Sequence, residues 1–358
     1  MAIFQEKTLN LRNPYALKQL DAFLTPLRFS FDSRAVDYTM ILCDAQGAIA
    51  GTGSYQGQVL KYVVVAPAHR ATNAFSVIVT HLIRLLMKRH KQIFAFTRPG
   101  NTKSFERQGF KEVATAEPLY TLMEFGYRSI QDYRAYLQSR KAIQVTPPVS
   151  AIVVNCNPFT NGHRYLIETA ASQSTIVYLF IVEEDRSVFP FKDRWKLVEE
   201  GTRHLANVVM LKGGPYVVSG AIFPGYFLQN EEPDLVTRNQ AELDVTIFAQ
   251  HIVPVLGITR RYVGTEPYSP TTRAYNAAMK KLLTTCGVEV IEVERKSLGT
   301  DSGGHPDFIS ATKIRKAISE DNLDSVLDFL PPCTLAYLRS PASTAVREAL
   351  RACAHAHM

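Results

Sequence analysis

The sequence predicts an α/β protein with two domains, in which a mixed α/β domain precedes a doubly wound domain with a parallel sheet. The length of 358 residues fits two or three domains of about 100–200 residues each. A composition of 46% hydrophobic and 20% charged residues is that of globular proteins that bury a core. After residues 141–148, strand-like and helix-like segments also alternate more regularly than before them.

The first domain is expected over residues 1–140 and combines strands and helices. Runs rich in β-branched and aromatic residues predict strands at 36–43, 48–55, 59–65, 93–96 and 119–125. Apolar residues at helical spacing predict helices at 72–89, 101–108 and 129–141. Gly109 follows the second of these helices and is typical of a helix end.

A linker is expected at residues 141–148, because Pro147 and Pro148 cannot continue a helix. The second domain would cover residues 149–358 and end in a helical tail. Its strand-like segments are at 151–156, 175–182, 208–211, 261–263 and 288–293, and its helix-like segments at 162–172, 193–204, 239–252 and 271–284. The strands are continuous apolar runs, which is typical of a parallel sheet covered on both faces. Such folds bind ligands at the carboxyl ends of their strands.

The bulk properties exclude several classes of function. A net charge of +7 allows anionic ligands, but Lys and Arg form no dense block that predicts nucleic-acid binding. The five cysteines are scattered without a CxxC pair, which argues against a disulfide framework and a thiolate zinc site. We find no signal-peptide pattern and no apolar stretch of the roughly 20 residues that a membrane helix needs. We therefore expect a cytoplasmic protein that binds neither nucleic acid nor membranes.

The first chemical motif is Thr160-Asn161-Gly162-His163, which joins the first strand of the second domain to a helix. A helix N-terminus offers unpaired N–H groups and the positive end of its dipole to a phosphate. Gly162 lets the backbone approach a ligand, Thr160 can donate a hydroxyl hydrogen bond, and His163 can offer a donor or a full charge. Transfer at an α-phosphate depends on such positioning and charge stabilisation. The strand–turn–helix context favours this interpretation over a merely capped helix with a surface histidine.

The second motif is Ile309-Ser310-Ala311-Thr312-Lys313-Ile314-Arg315, which also opens a helix. Ser310 is a good N-cap, and Thr312 and Arg315 share a helix face. A hydroxyl, free amides and a guanidinium would then converge on one anion, and an arginine fork suits the β- and γ-phosphates. Alone, this motif fits an ordinary capped helix, whereas its pairing with the first motif favours a phosphate site.

Together the two motifs resemble the T/HxGH and ISxTxxR signature pair of the HxGH nucleotidyltransferase superfamily, with Thr160 at the variable first position. Residues 264–267 resemble the nucleotide-facing loop of the same superfamily. The resemblance implies a Rossmann-like nucleotidyltransferase domain that binds ATP. It leaves open a cofactor adenylyltransferase of the pantetheine-phosphate or nicotinamide-mononucleotide type. A non-catalytic nucleotide sensor is a third alternative, disfavoured because a sensor need not keep the complete motif set.

Further segments resemble one member of this superfamily, the citrate (pro-3S)-lyase ligase family. They are residues 157–166, 189–194, 223–228 and 264–270, with Tyr275-Asn276. The resemblance covers nearly the whole chain. It implies an AMP-forming ligase that converts acetate and ATP to acetyl-adenylate. The acetyl group would then pass to the prosthetic-group thiol, on a phosphopantetheine-type arm, of the acyl-carrier subunit of citrate lyase, which becomes active.

The resemblance also implies roles for individual residues. Thr160 and His163 would hold the α-phosphate and stabilise the transition state, and Arg315 would act with them as a catalytic residue. The other implied ATP-binding residues are Asn157, Phe159, Gly162, Gly264, Glu266, Ser310 and Thr312, of which Ser310 and Thr312 would hold the departing diphosphate with Arg315. Lys192 and Arg194 are candidates for phosphate or carboxylate contact, with a solvated helix start as the alternative. Mg²⁺ would bridge the phosphates, although the sequence shows no dedicated carboxylate cage for it.

The first domain resembles the GNAT acetyltransferase fold. Residues 70–75 correspond to its R/Q-x-x-G-x-G/A pyrophosphate loop, but Asn73 and Phe75 replace both glycines, and Phe75 would crowd the ligand. Residues 101–110 resemble the GNAT end motif. We therefore expect a retained fold without the usual acetyl-CoA site. The domain would receive the phosphopantetheine-like arm or the carrier subunit, or serve a purely structural role.

Overall fold

A computed structural model describes residues 3–183, 187–217, 223–228, 231–265, 270–300 and 306–355. The strands are β1 (Gln5–Thr8), β2 (Tyr38–Cys43), β3 (Ile49–Gln56), β4 (Val59–Val65), β5 (Gln92–Thr97), β6 (Lys111–Ala116), β7 (Tyr120–Gly126), β8 (Val149–Val154), β9 (Ile176–Ile181), β10 (Val208–Lys212), β11 (Arg260–Gly264), β12 (Glu289–Val293), β13 (Ser297–Thr300) and β14 (Pro306–Phe308). The helices are α1 (Pro14–Leu24), α2 (Ala74–Leu86), α3 (Thr102–Glu106), α4 (Ile130–Arg140), α5 (Asn161–Ser172), α6 (Phe191–Thr202), α7 (Pro233–Ile247), α8 (Val253–Leu256), α9 (Pro270–Thr285), α10 (Ala311–Ser319), α11 (Pro332–Arg339) and α12 (Thr344–His355).

The chain folds into two compact units, and each is formed by two separate stretches of sequence. Unit 1 comprises Met1–Ala135 and Gly220–Ile247, and unit 2 comprises Tyr136–Ser219 and Phe248–Met358. Unit 1 is mixed α/β and unit 2 is doubly wound around a parallel sheet, so the predicted fold class is confirmed. Among the described residues, we find no helix with the length and apolar character needed to cross a membrane.

Unit 1 is built on a seven-stranded sheet with the order β1-β2-β3-β4-β5-β7-β6. All neighbours are antiparallel except β4 and β5, which pair in parallel at Val59–Phe94 and Leu60–Ala95. Helix α2 packs so closely on β3 that a Cβ added to Gly51 would lie only 2.7 Å from Ile78 Cδ1. The sequence pattern did not predict α1, β6 or β1, and all four residues of β1 are exposed.

Residues 223–247 belong to unit 1. The sequence pattern instead predicted a helix at 239–252 and assigned it to the second domain. Helix α7 ends at Ile247, and a π-helical turn follows at Phe248–Ile252. The Leu119 N–H donates to Asn239 Oδ1 (3.2 Å), and Gln240 Nε2 donates to the Tyr120 hydroxyl (3.0 Å). These bonds join residues 120 positions apart, so local sequence pattern could not reveal them.

Unit 2 contains a five-stranded parallel sheet with the order β10-β9-β8-β11-β12. All six residues of β9 are buried, as expected for a strand covered on both faces. The chain builds outward from β8 through β9 to β10 and then returns to β11 on the other side of β8. Ligands of doubly wound folds bind where the strand order reverses in this way, which is at the carboxyl ends of β8 and β11.

Candidate functional site

A sharp turn carries the chain from β8 into the first motif. β8 ends at Val154, and Cys156 then takes the left-handed conformation with φ 53°, which is uncommon for a residue other than glycine. The side chain of Cys156 is fully buried, and burial raises the pKa of its thiol well above the usual range. Cys156 therefore shapes the turn and offers no thiolate nucleophile.

Thr160 and His163 form a reciprocal capping box at the start of α5. The backbone N–H of His163 donates to Thr160 Oγ1 (3.2 Å), and the backbone N–H of Thr160 donates to His163 Nδ1 (3.2 Å). Thr160 Oγ1 also lies 2.9 Å from Nδ1. Since Nδ1 accepts a hydrogen bond, the proton of the neutral ring lies on Nε2. The capping box thus fixes both the orientation and the tautomer of His163.

The ring of His163 is neutral at pH 7. Removal of the ring from water, followed by the charge of Arg295, lowers the pKa of His163 from its ordinary value of 6.5 to about 4. The sequence left open whether His163 offers a donor or a full charge. The structure favours a neutral ring that donates through Nε2–H.

The lowered pKa of His163 predicts a loss of stability in mild acid. The unfolded chain binds a proton at this histidine below pH 6.5, whereas the folded chain resists protonation down to about pH 4. The free energy of unfolding should therefore fall as the pH drops through this window, by about 2 kcal/mol at pH 5. Urea unfolding of the wild type and of His163→Gln at pH 7 and pH 5 measures this contribution. An equal loss in both proteins would contradict it.

Phe159 lies beneath the motif and not at its surface. Its side chain is fully buried, and its ring stacks on that of His163 with centroids 6.3 Å apart. Its carbonyl oxygen accepts a hydrogen bond of 2.9 Å from Thr334 Oγ1 of α11. Phe159 therefore supports the histidine from the core, which differs from the ATP contact that the family resemblance implied.

The second motif contacts the first directly. Arg315 Nη1 donates to the carbonyl oxygen of Asn157 (2.6 Å), across 158 positions of the chain. Arg315 Nη2 donates to Thr312 Oγ1 (3.1 Å), and Ser310 caps α10 by accepting from the N–H of Thr312 (3.2 Å). A Cβ added to Gly162 would lie 3.5 Å from Ile309 Cγ2, so the two helix N-termini are neighbours. The site therefore unites a neutral histidine, a guanidinium and two sets of helix N–H groups.

Arg315 is a partly desolvated cation. Desolvation lowers its pKa below the ordinary value, but a guanidinium stays charged at pH 7. A cation that has lost part of its water interacts more strongly with a phosphate than a fully exposed one does. Its bond to Asn157 holds this charge beside the first motif.

The loop after β11 lies at the same edge of the sheet. The carbonyl oxygen of Gly264 accepts a hydrogen bond from Asn276 Nδ2 of α9 (3.3 Å), and a Cβ added to Gly264 would meet open space. The Thr265 N–H donates to the carbonyl oxygen of Val293 in β12 (3.0 Å). Glu266 lies outside the described residues.

Arg194 has a different position from the one that the sequence suggested. Its side chain is fully buried in α6. Nη1 donates to the carbonyl oxygens of Asn155 (2.7 Å) and Val182 (2.8 Å), and Nε donates to that of Phe189 (3.0 Å). Arg194 therefore ties the turn after β8 to the segment after β9. Lys192 is exposed in the first turn of α6 and stays a candidate for anion contact.

Two further residues at the site, Asn155 and Arg295, were not predicted from the sequence. Asn155 Oδ1 accepts from Arg194 Nη1 (2.9 Å) and from Ser187 Oγ (3.1 Å). Arg295 follows β12 and carries the charge that acts on His163. The available signal was positional, since Asn155 lies at the end of the strand predicted at 151–156 and Arg295 lies two residues after the strand predicted at 288–293, where such folds place their ligands.

No dedicated metal centre is formed by the described residues, among which we find no cluster of three or more His, Cys, Asp or Glu side chains. Magnesium usually keeps several waters and binds through substrate phosphates with few protein ligands. The Mg²⁺ expected from the sequence stays a prediction, in which the phosphates of ATP would hold the ion.

Comparisons with known proteins identify the relatives of this chain. The family model for the citrate lyase ligase C-terminal domain matches residues 149–338. The citrate (pro-3S)-lyase ligase of Klebsiella pneumoniae is 34% identical over 350 residues, which cover 96% of this chain and 98% of that protein. Similar solved structures include a putative nicotinate-nucleotide adenylyltransferase from Vibrio parahaemolyticus, with 18% identity and a TM-score of 0.34 over 56% of this chain and 95% of that one. A putative acetyltransferase from Exiguobacterium sp. 255-15 has 12% identity and a TM-score of 0.29 over 37% of this chain and 98% of that one.

Proposed function

The chain belongs to the citrate lyase ligase family, and on that premise we propose that it is a cytoplasmic, AMP-forming ligase. It activates acetate with ATP and acetylates the prosthetic-group thiol of the acyl-carrier subunit of citrate lyase, which activates the lyase. The observation that carries the ATP half of this proposal is the bond between Arg315 and Asn157. It brings a cation, two helix N-termini and the neutral His163 to the carboxyl end of β8.

In the first step, a carboxylate oxygen of acetate attacks the α-phosphorus of ATP. The bond from that phosphorus to the oxygen bridging it to the β-phosphorus breaks, and diphosphate leaves. His163 holds the α-phosphate through Nε2–H, which donates to an oxygen whose charge grows in the transition state. Thr160 is buried and orients the His163 ring through the capping box. Ser310, Thr312 and Arg315 hold the departing diphosphate.

This first step needs no general base, since a carboxylate is already ionised at pH 7. A neutral His163 whose Nδ1 is occupied by Thr160 fits that requirement, because such a ring donates a hydrogen bond and does not have to accept a proton. In the second step, the carrier thiol attacks the acetyl carbonyl carbon and releases its proton to solvent. The bond from that carbon to the phosphate oxygen breaks, and AMP leaves with the electron pair. Acetylated carrier and AMP are the products.

Unit 1 contains a cavity that supports a role in receiving the carrier arm. Its volume is about 440 Å³. Residues 63–65 of β4 and 96–97 of β5 line it, and they come after the paired positions of these two strands, Val59–Phe94 and Leu60–Ala95. Aromatic side chains line it, including Phe29, Phe75 and Tyr226, and Arg70 adds positive charge. Arg98 also lines it, but its charge is paired with Glu231 (2.8 Å). Burial raises the pKa of Tyr226 above its usual range, so its hydroxyl is neutral. A narrow arm with a phosphate at one end matches this lining.

The cavity predicts that the full chain binds free phosphopantetheine. Tyr226→Trp would fill part of the cavity and is expected to weaken this binding at least tenfold, while ATP binding stays unchanged. Tyr127→Trp is the matched control, because Tyr127 is 84% exposed in the same unit. Isothermal titration of each protein with phosphopantetheine, ATP and acetyl-CoA measures these affinities. Micromolar binding of acetyl-CoA, or phosphopantetheine binding that Tyr226→Trp leaves intact, would contradict the assignment.

The reaction itself is tested by ATP–diphosphate exchange with the purified chain. Acetate-dependent exchange is the expected result. Exchange or product formation that depends on nicotinamide mononucleotide or phosphopantetheine would identify a cofactor adenylyltransferase instead. No exchange with any acceptor would identify a nucleotide sensor and refute the ligase.

A further inference from the structure

The side chain of Asn155 is held in one orientation at the carboxyl end of β8. Its Oδ1 accepts hydrogen bonds from Arg194 Nη1 (2.9 Å) and from Ser187 Oγ (3.1 Å). A guanidinium only donates hydrogen bonds, so the amide atom that faces Arg194 must be the oxygen and not the nitrogen. Since Arg194 is fully buried, this bond has little freedom to shift. Nδ2 and its two N–H donors are therefore turned away from Arg194 and Ser187.

The two N–H donors of Asn155 can bind a ligand. Asn155 is exposed, and in the part of the chain that the structure describes no group accepts a hydrogen bond from its Nδ2. The positive charge of Arg194 polarises the amide through Oδ1, which makes both N–H groups stronger donors. Asn155 therefore presents neutral donors to an anion, with a buried cation behind them.

Asn155 also lies close to the groups that would bind ATP. It is two residues before Asn157, whose carbonyl oxygen accepts the 2.6 Å bond from Arg315 Nη1. Since consecutive Cα atoms are about 3.8 Å apart, the Cα atoms of Asn155 and Asn157 lie within about 7.6 Å of each other. The Asn155 amide is therefore a neighbour of the first motif.

The sheet order places Asn155 on a particular side of the site. Strand β8 lies between β9 and β11. Ser187 and Arg194, the partners of the Asn155 side chain, follow β9, whereas the loop proposed to face the nucleotide follows β11. Ligands of doubly wound folds lie across the crevice between two such loops. Asn155 is thus on the side of the crevice that the nucleotide-facing loop leaves open for a second substrate.

We propose that Asn155 binds the carboxylate of the acid substrate through Nδ2–H, on the β9 side of the crevice. The inference rests on the proposed function, since it takes acetate and ATP as the two substrates, and it names the residue that positions the acid. One carboxylate oxygen accepts from Asn155, and the other attacks the α-phosphorus. Neutral donors suit a nucleophile, because an ion pair with arginine or lysine would stabilise its charge more strongly before the attack.

The substitution Asn155→Asp separates ligand binding from a structural role. Aspartate has the same shape and keeps an acceptor for Arg194 and Ser187, so the free energy of unfolding should not fall. It removes both N–H donors and places a negative charge where the acid would bind. The KM for acetate in ATP–diphosphate exchange is expected to rise roughly tenfold to hundredfold, the range of a hydrogen bond to a charged group. The affinity for ATP, titrated without acetate, should fall much less.

Two further variants complete the test, and denaturant unfolding shows that each is folded. Asn155→Ala removes the acceptor together with the donors. A structural role predicts that alanine impairs exchange while aspartate does not, whereas a binding role predicts that aspartate raises the KM for acetate at least as much as alanine. Asn322→Asp is the matched control, because Asn322 is exposed in unit 2 beyond the end of α10 and its side chain caps no helix. It adds the same charge and should leave the KM for acetate unchanged.

A wild-type KM for acetate in Asn155→Asp would overturn the proposal. Equal losses of acetate and ATP affinity would overturn it as well, because they would make Asn155 a phosphate contact. Either result leaves the ligase function intact, since both are measured in a chain that shows acetate-dependent exchange. A wild-type chain without such exchange would refute the ligase function and this inference with it.

Discussion

Replacement of His163 by alanine is expected to lower the turnover of acetate-dependent exchange by about two to three orders of magnitude. The variant loses the Nε2–H donor at the α-phosphate, where charge grows in the transition state. It also loses the Nδ1 acceptor of the capping box, so the N–H of Thr160 has no side-chain partner. ATP affinity should fall much less, because Arg315 and the N-termini of α5 and α10 remain.

The matched control for this prediction is His204→Ala. His204 also lies in unit 2 and pairs with Glu168 at the surface, with Nε2 3.0 Å from a carboxylate oxygen. Its replacement should leave turnover unchanged. Steady-state kinetics of both variants against ATP gives kcat and KM separately. Unchanged kcat in His163→Ala would remove His163 from the reaction, and an effect confined to KM would make it a ground-state ligand.

Strand and helix order in unit 2 could be predicted because each signal was local. The apolar run of β9 is buried at every position. Thr160 caps α5, as expected for a hydroxyl residue directly before a helical pattern. The meeting of Arg315 with Asn157 had no local signal, since the two residues are 158 positions apart and α10 follows the separate antiparallel pair β13–β14. Only the pairing of the two motifs in the family resemblance indicated that they would meet.

The grouping of residues 223–247 with unit 1 could not be predicted, since their partners lie more than 100 residues earlier. Arg98 Nη2, for example, binds Glu231 Oε1 at 2.8 Å. The chemistry of individual side chains was equally hidden. Arg194 and Arg315 both lie near a helix start in the sequence, but only burial and bonding distinguish a residue that ties loops together from one that lies at the site.

Replacement of Arg194 by methionine is expected to destabilise unit 2 by about 3–5 kcal/mol. Methionine retains much of the arginine volume but donates no hydrogen bond. The carbonyl oxygens of Asn155, Val182 and Phe189 would lose the donors that now join the turn after β8 to the segment after β9. The turn that precedes the first motif would then loosen, so nucleotide binding should weaken as a consequence of lost structure.

The control substitution, at Lys192, is on the same helix as Arg194, and the rescue substitution is at Arg194 itself. Lys192→Met, two positions earlier and exposed, should change the free energy of unfolding by no more than about 0.5 kcal/mol. Arg194→Lys should recover part of the loss, because an ammonium can reach some but not all of these separated carbonyl oxygens. Denaturant unfolding and ATP titration of each variant distinguish the two roles of Arg194. Wild-type stability in Arg194→Met together with weakened ATP binding would restore Arg194 as an anion contact, whereas a large loss of stability that Arg194→Lys partly reverses identifies it as the residue that positions the site.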